Sequence, residues 1–266
     1  MQTNHLDFAV HLAQKAGVIM KADFHLGMKR EWKSNQTPLT VSDKKINQLV
    51  VDATEKYYPS YAVIAEEGSS IKDSKYAWVC DPIDGTIPFV HGYPTSVFAI
   101  ALTKNGESIL GVIYDPFMDR LVTAQKGKGT YLNNKPIHVS STKNLKGTTI
   151  DVAGWFNKKL AMNSLSELLM SKGCMTITLR AISYTGILVA AGELAAVIYS
   201  ITEPWDGAAV KIIVEEAGGK VSDLFGKDQR YDRKLTGCIA SNGVLHNTLV
   251  DIINPVVKKT EYFRTK

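Results

Sequence analysis

The stretch Asp81-Pro82-Ile83-Asp84-Gly85-Thr86 places two carboxylates three positions apart, immediately before a Gly-Thr turn that suits the start of a helix. Clustered carboxylate oxygens are the ligands that hard divalent cations require, and backbone N–H groups at a helix start favour phosphate oxygens. On its own the stretch fits a plain turn equally well, because Asp-Gly is a common turn dipeptide. Its interpretation therefore depends on the rest of the sequence.

The composition fits one large globular unit or two closely packed lobes, since 45% of the 266 residues are hydrophobic. A charged fraction of 21% does not indicate disorder. The net charge of +5 is spread along the chain, whereas nucleic-acid binders concentrate positive charge, so no nucleic-acid partner is predicted. Every apolar run falls short of a membrane-spanning length, so no membrane partner is predicted either.

The cysteines and the N-terminus predict a cytoplasmic protein. Cys80, Cys174 and Cys238 are odd in number and widely separated, in no spacing typical of metal ligands. We expect them to be reduced thiols in the core rather than disulfide partners. The first residues, Met1-Gln2-Thr3-Asn4-His5, lack the basic start and apolar core of a secretory signal.

The first part of the chain changes from helical to strand periodicity. Amphipathic helices are predicted over Leu6–Met20 and from an N-cap at Ser42, with a polar loop or hairpin over Met28–Pro38 between them. Short apolar strands follow at Tyr61–Ala65 and Tyr76–Cys80. Each strand ends directly at acidic residues, which is where α/β folds usually place ligand groups.

The remaining sequence predicts a layered α/β protein. The polar segment Ser140–Lys146 is the expected boundary between an N-terminal lobe, 1–140, and a C-terminal lobe, 141–266. Further strands of the first lobe are expected at Thr95–Thr103, Ile109–Tyr114, Arg120–Ala124 and Thr130–Leu132, the last between tight turns at Lys126–Gly129 and Asn133–Pro136. The second lobe is expected to have strands at Thr148–Val152, Met175–Leu179, Leu194–Tyr199, near Val221 and at Cys238–Ser241, with helices at Leu160–Ser171, Tyr184–Ala191, Asp206–Ala217 and Val244–Ile253.

Several acidic residues have ordinary structural explanations when each is taken alone. Glu66-Glu67 fits a solvated acidic loop. Asp206, which follows Pro204-Trp205, fits a helix N-cap. Asp43 fits an acid in the first turn of a helix, where it stabilises the helix dipole.

Taken together, the acidic segments form a pattern. They are Ile64-Ala65-Glu66-Glu67, the 81–86 stretch, and Trp205-Asp206-Gly207-Ala208-Ala209 with Glu216-Ala217-Gly218-Gly219 downstream. In this order and spacing they resemble the inositol monophosphatase superfamily over most of the chain, and Leu39-Thr40-Val41-Ser42-Asp43 is similar to an upstream element of that family. The resemblance implies a layered α-β-α-β-α fold, a homodimer, and Mg²⁺-dependent, lithium-sensitive hydrolysis of small phosphate esters.

The resemblance also implies a set of metal ligands. Glu66, Asp81 and the backbone carbonyl of Ile83 are expected to hold a first Mg²⁺. Asp81 is expected to bridge to a second Mg²⁺, which Asp84 and Asp206 share. Carboxylates this close repel one another unless cations neutralise them. Such a cluster suits two-metal phosphoryl transfer.

Catalytic roles follow from the same resemblance. Thr86 and Asp43 are expected to form a hydrogen-bonded pair beside Glu66 that orients the attacking water, a role that suits a hydroxyl held by a carboxylate. The N–H groups of Gly85 and Thr86 are expected to bind phosphate oxygens. Lys33 corresponds to a family lysine near the phosphate, and a solvated lysine fits the sequence equally well.

The sequence departs from the family pattern on the substrate side. Pro88 stands where members usually have Asn, and because proline is tolerated in a first helical turn we expect the backbone to be undisturbed. Tyr199 stands seven residues before Asp206, where inositol-preferring members often carry Glu, and it presents a hydroxyl and an aromatic face. Arg180 is a candidate contact for a second phosphate or a carboxylate, with a surface salt bridge as the alternative. The expected substrate-binding set is Lys33, Asp84, Gly85, Thr86, Arg180, Tyr199 and Asp206.

The sequence thus predicts a phosphomonoesterase that uses Mg²⁺ and acts on a small phosphorylated metabolite. Inositol monophosphate is the default substrate, and histidinol phosphate and 3′-phosphoadenosine 5′-phosphate are the alternatives within the same chemistry. A non-catalytic regulator that binds metal or phosphate is the alternative of another class. A purely structural acidic cluster is the third possibility.

Overall fold

The computed structural model describes residues 4–28, 30–34, 38–154 and 162–258. The chain starts with helix α1 (His5–Asp23), a two-stranded antiparallel hairpin of β1 (Glu31–Trp32) and β2 (Pro38–Leu39), and helix α2 (Val41–Tyr57). Both predicted helices and the hairpin are therefore present. The N-cap of α2 is Thr40 rather than Ser42, because the Thr40 side chain accepts from the N–H of Asp43 and Asp43 accepts in return.

A seven-stranded sheet follows, with its strands side by side in chain order. The first pair is parallel and every other pair is antiparallel. The strands are β3 (Ala62–Ala65), β4 (Tyr76–Asp84), β5 (Val97–Lys104), β6 (Glu107–Asp115), β7 (Arg120–Gln125), β8 (Thr130–Leu132) and β9 (Lys135–Ile137), and the short helix α3 (Thr86–Val90) joins β4 to β5.

Two predictions for this sheet were wrong in detail. The second predicted strand does not stop at Cys80 but continues to Asp84, with a bulge in its pairing between Asp81 and Asp84. The predicted turn at 133–136 is confined to Asn133 and Asn134, which have φ values of 47° and 65°. The residues after them form β9, since hydrogen bonding to β8 outweighs the poor strand propensity of a Lys-Pro pair.

The second half of the chain forms a five-stranded sheet with the order β11-β10-β12-β14-β13. Strands and helices alternate as predicted, and the predicted helix start at 160–161 lies outside the described residues. The elements are β10 (Thr149–Ala153), α4 (Met162–Ser171), β11 (Met175–Ile177), α5 (Ile182–Ala190), β12 (Ala196–Tyr199), a 3₁₀ turn (Pro204–Asp206), α6 (Ala208–Glu216), β13 (Lys220–Ser222), β14 (Cys238–Ser241) and α7 (His246–Lys258).

Three apolar clusters arrange these elements in five layers. Helices α1 and α2 cover one face of the large sheet, around Trp78 and Phe98. Helices α5 and α6 fill the space between the two sheets, and α4 and α7 cover the outer face of the small sheet. This order confirms the predicted α-β-α-β-α sandwich. The expected lobe boundary falls between the last strand of one sheet and the first strand of the other, and the division into two lobes stays a prediction.

The three cysteines are buried and unbridged. Among the described residues, no helix has the length and apolar character needed to cross a bilayer.

Candidate active site

The parallel pairing of β3 and β4 brings the first two acidic positions together. Ala65 pairs with Cys80 in the register, so Glu66, just past the end of β3, lies beside Asp81 at the bulge of β4. The bulge after Asp81 is fixed locally, since the Ile83 N–H donates to Asp81 Oδ1 at 3.0 Å. Both aspartates of the segment are buried, with 3% of Asp81 and 6% of Asp84 exposed.

The second half of the chain adds Asp206 and the far wall of the cleft. Asp206 ends the 3₁₀ turn, and Gly207 rather than Asp206 is the cap residue of α6, so the N-cap interpretation of Asp206 is not supported. One cleft contains the predicted metal ligands and most of the predicted substrate contacts. Its lining includes Glu66, Asp81, Ile83, Asp84, Gly85, Thr86, Arg180, Tyr199, Ser200 and Asp206.

Burial and the charges of neighbouring carboxylates raise the pKa values of Asp81 and Asp84. Desolvation is the largest cause of the raised pKa of Asp81, followed by the charges of Glu66, Asp84 and Asp206. Burial raises the pKa of Asp84 to about 7, against the opposing effect of hydrogen bonds from the start of α5. A cation in the cleft would relieve both costs, because it replaces lost hydration and screens the repulsion.

The donor set suits Mg²⁺, which prefers carboxylate and carbonyl oxygens. As they stand, no three acidic, histidine or cysteine side chains of the described residues form a complete metal cage. Protein donors bind one oxygen of three of the predicted ligands: the Ile83 N–H binds Asp81, the Ser183 N–H binds Asp84, and Lys33 binds Glu66. The predicted ligands all line one cleft.

Lys33 forms an ion pair with the acidic residues after β3. Its Nζ lies 2.8 Å from Glu66 Oε1 and also contacts the Glu67 carboxylate. Burial acts to lower the pKa of Lys33, but the two carboxylates outweigh it and raise that pKa. The Glu-Glu pair is thus not a solvated loop, and Lys33 is not a solvated lysine. Its predicted contact with phosphate stays a prediction.

The predicted hydrogen bond between Asp43 and Thr86 is replaced by other contacts. Asp43 Oδ2 accepts from the Thr40 N–H at 2.7 Å and from Thr40 Oγ1 at 2.6 Å, because Asp43 completes the capping box of α2. Thr86 Oγ1 instead donates to the Ile83 carbonyl at 3.1 Å. Asp43 Oδ1 is buried and has no hydrogen-bond partner in the described part of the chain, and burial raises the pKa of Asp43 to about 7.

The Gly85-Thr86 turn fits tightly against the second half of the chain. Gly85 has a φ of 85°, and a Cβ placed there would lie 2.8 Å from the Ala181 Cβ. Glycine is therefore required both for the conformation and for the close approach. The turn leads into α3, which contains Pro88 without interruption, as expected for a proline in a first turn.

Tyr199 does not present its hydroxyl to the cleft. The Tyr199 OH donates to Asp151 Oδ2 at 2.9 Å, and both residues are buried. The expected hydroxyl contact with substrate is therefore contradicted, and the aromatic ring is what Tyr199 contributes to the wall. Arg180 does line the cleft, and its Nη1 donates to the Gly154 carbonyl at 3.2 Å.

Comparison with known proteins decides the family. The model of the "Inositol monophosphatase family" matches residues 1–258. The chain belongs to the inositol monophosphatase family. It is therefore a phosphoric monoester hydrolase of a metal-dependent family whose members act on small phosphorylated substrates, which confirms the predicted enzyme class.

Individual inositol monophosphatase relatives match over nearly the whole length. The "Fructose-1,6-bisphosphatase/inositol-1-monophosphatase" of Thermotoga maritima is 31% identical over 263 residues, covering 96% of this chain and 98% of that protein. "Inositol monophosphatase 3" of Solanum lycopersicum is 33% identical over 262 residues, covering 94% of this chain and 96% of that protein. A solved Thermotoga maritima IMPase structure aligns with a TM-score of 0.87 at 31% identity, covering 97% of this chain and 99% of that one.

Sequence reasoning missed three contributors to the cleft of this inositol monophosphatase family member. Ser183 holds Asp84 from the first turn of α5, a helix whose start was placed two residues too late because its cap residue, Ala181, is no N-cap type. Asp151 could have been identified from the sequence, since a carboxylate inside an apolar strand needs a hydrogen-bond partner. No feature of the sequence pointed to Ser200, which follows Tyr199, as a residue of the cleft.

Proposed function

We propose that this protein hydrolyses a small phosphate monoester in the presence of Mg²⁺, and that inositol monophosphate is its first candidate substrate. The observation that carries the proposal is the burial of Asp81 in a cleft that also contains Glu66, Asp84 and Asp206. Buried carboxylates of this kind are stabilised by a cation that also binds phosphate oxygens.

The chain supplies the ligands of the metal centre. Glu66, Asp81, Asp84, Asp206 and the Ile83 carbonyl would hold Mg²⁺, and the ion supplies a Lewis acid that activates water and neutralises phosphate charge. The hydrogen bond from Thr86 Oγ1 orients the Ile83 carbonyl.

Residues beside the metal ligands are proposed to bind the substrate phosphate and to accept a proton from the attacking water. Backbone N–H groups of the Gly85-Thr86 turn are the proposed donors to the substrate phosphate. Asp43 Oδ1 is the proposed proton acceptor near the attacking water, because it is a buried acceptor without a hydrogen-bond partner among the described residues and burial raises the pKa of Asp43 to about 7. Thr86 and Glu66 are proposed to position that water.

A phosphate-release panel tests the proposal. It contains inositol 1-phosphate, histidinol phosphate, 3′-phosphoadenosine 5′-phosphate and fructose 1,6-bisphosphate, each with Mg²⁺ and with or without Li⁺. Asp81→Asn is expected to abolish release of phosphate from whichever ester is cleaved. The matched control is Asp119→Asn, outside the cleft, where a φ of 52° suits Asn. Unchanged activity of Asp81→Asn would refute the assigned ligand.

The panel also separates the alternatives. Histidinol phosphate or the adenosine bisphosphate replaces inositol monophosphate if its kcat/KM is the highest. A regulator without turnover is favoured if no ester is hydrolysed while calorimetry still detects Mg²⁺ binding. Absence of any divalent-cation binding would leave a structural acidic cluster.

We also propose that the protein is a homodimer, as the resemblance to the family implies, and that it is cytoplasmic, a proposal supported by its three buried, unbridged cysteines. Light scattering at micromolar concentration should give twice the chain mass of 29.2 kDa. A monomer mass at every concentration would overturn the dimer.

A further inference from the structure

Helix α2 carries two buried polar side chains on one face. Asp43 and Asn47 are four residues apart, so they are neighbours on this face, and only 0% of Asp43 and 6% of Asn47 is exposed. Asn47 Nδ2 donates to the Gly68 carbonyl at 3.0 Å. Because Gly68 stands two residues after Glu66, this hydrogen bond joins α2 to the segment that carries a proposed Mg²⁺ ligand.

The stability of α2 does not explain Asn47. Asparagine is a poor residue for the interior of a helix. Its Oδ1 is buried and has no hydrogen-bond partner among the described residues, and a buried polar atom without a partner costs free energy. An apolar side chain at this position would avoid both costs. What Asn47 contributes in return is its hydrogen bond to the Gly68 carbonyl.

The loop after β3 is closed at its base by its own residues. Val63 and Ser70 exchange two backbone hydrogen bonds, of 2.8 and 2.9 Å. Ser69 Oγ accepts from the Ala65 N–H at 3.1 Å and donates to the Ala65 carbonyl at 3.3 Å. These contacts fix the shape of the loop, but they do not fix its position relative to α2. The hydrogen bond from Asn47 supplies that further restraint.

Gly68 makes a restraint from outside the loop effective. Its φ of 149° lies in a region that residues with a side chain rarely adopt. A Cβ placed on Gly68 would lie 3.4 Å from Asn47 Nδ2, so the two residues are in close contact. Because the backbone at a glycine has more conformational freedom than elsewhere, a hydrogen bond that holds the Gly68 carbonyl also restricts Glu66 and Glu67.

We propose that Asn47 is a positioning residue for Glu66. By holding the Gly68 carbonyl it fixes residues 66–68 against α2, and it thereby sets the Glu66 carboxylate for Mg²⁺ at a constant position relative to Asp43. Asn47 is not among the residues that line the cleft, so it acts through Glu66 and not on the substrate. The proposal rests on the proposed function only in taking Glu66 as a metal ligand. A ligand that is held in place before binding loses less conformational freedom when the metal binds.

Asn47→Leu tests the proposal, because it removes both the donor to Gly68 and the unpartnered Oδ1 while nearly keeping the size of the side chain. Calorimetric titration is expected to show a Kd for Mg²⁺ about 5- to 10-fold higher than that of the wild type. The Tm should change by less than about 3 °C, because one loss and one gain oppose each other. The KM for the ester at saturating Mg²⁺ should stay within about twofold. Asn47→Gln keeps an amide donor and should recover part of the Mg²⁺ affinity.

A double-mutant cycle tests whether Asn47 acts through Glu66. In a Glu66→Gln background, Asn47→Leu should change the Kd for Mg²⁺ by less than about twofold, because the carboxylate that it positions is gone. An undiminished effect of Asn47→Leu in that background would overturn the assigned route. Should Asn47→Leu fail to fold, Asn47→Ala replaces it in both measurements.

Asn242→Leu is the matched control. Asn242 is 1% exposed and lies outside the cleft, and its Nδ2 donates to the Thr142 carbonyl at 2.8 Å. Its Oδ1 accepts from the Leu245 N–H, so the variant should lower the Tm while leaving the Kd for Mg²⁺ within about twofold. Asn133→Gly serves the same purpose if that variant does not fold, since Asn133 Nδ2 donates to the Asp119 carbonyl at 2.8 Å and glycine tolerates its φ of 47°.

The results separate the positioning role from the proposed function. An equal Kd for wild-type protein and Asn47→Leu would overturn the positioning role alone. A rise in Kd that follows the loss of Tm in the asparagine controls as well would show a merely structural residue. If Mg²⁺ binds but no ester is hydrolysed, the proposed function fails while the Kd comparison still decides for or against Asn47. A wild-type protein that binds no Mg²⁺ would overturn both.

Discussion

Lys33 forms an ion pair with Glu66, which is one of the proposed Mg²⁺ ligands. The ion pair is largely shielded from water, with 19% of the Lys33 side chain and 23% of the Glu66 side chain exposed. Mg²⁺ and the ammonium group therefore compete for one carboxylate. We predict that Lys33→Gln binds Mg²⁺ more tightly than the wild-type protein, although it removes a contact from the metal-free state.

The magnitude follows from the burial of the pair. Loss of an exposed ion pair costs about 0–1 kcal/mol and removal of one partner of a buried pair about 3–5 kcal/mol, so removal of Lys33 from this partly buried pair is expected to cost about 1–2 kcal/mol. Release of Glu66 from that pair corresponds to a Kd for Mg²⁺ that is about 5- to 30-fold lower. The metal-free variant should unfold at a lower temperature, and Mg²⁺ should raise its Tm by more than it raises that of the wild type.

Calorimetric titration with Mg²⁺ measures the Kd, and thermal unfolding with and without Mg²⁺ measures the linked stability. Lys44→Gln is the matched control, because Lys44 also forms a 2.8 Å ion pair, with Glu31, but that pair is exposed and lies outside the cleft. The control removes the same charge and should leave the Kd within about twofold. A Kd for Lys33→Gln equal to or higher than that of the wild type would refute the competition.

Two other predictions concern stability. Burial lowers the pKa of His246 from 6.5 to about 4, so below pH 6.5 the unfolded chain binds a proton that the folded chain does not. Stability is therefore lost as the pH falls from 6.5 to 4, by about 3 kcal/mol, and urea unfolding of His246→Gln should show a correspondingly smaller loss. Gly85→Ala should cost about 2–4 kcal/mol, from positive φ and the clash with Ala181, whereas Gly127→Ala, with a φ of 74° and no atom within 4 Å, should cost only about 1 kcal/mol in the same assay. Equal costs for the two glycine variants would contradict the close approach.

The acidic end of the cleft was predictable because strand ends are encoded locally. Apolar runs that stop before Glu66 and before Asp81 predict both residues at strand ends, and the parallel register of β3 and β4 sets them side by side even though β4 itself continues to Asp84. The continuation of β4 to Asp84 was not predictable in the same way. The Asp81 side chain accepts from the Ile83 N–H and so stabilises a bulge, after which β4 pairs with β5 again at Asp84. The alternation of apolar and polar residues along a strand does not predict such a bulge.

The hydrogen-bond partners of the site residues were harder to predict than the positions of those residues, because several groups can compete for one polar atom. Asp43 was expected to bind Thr86, but Asp43 Oδ2 accepts from Thr40 in the capping box, and Thr86 Oγ1 donates to the Ile83 carbonyl. Tyr199 was expected to face the substrate, but the buried Asp151 required a donor. In both places a polar atom had more than one suitable partner, and tertiary packing decided between them.

The three donors that hold the metal-binding carboxylates differ in how easily a cation replaces them. The donor to Asp81 is the N–H of Ile83, two residues along the chain, and the donor to Asp84 is a backbone N–H in the first turn of α5. Neither N–H can withdraw without a change in the bulge or the helix. Lys33 is attached through a flexible side chain on the hairpin side of the cleft, so it can leave Glu66 while the backbone stays in place. Of the three contacts, the Lys33–Glu66 pair is therefore the one that metal binding should break first.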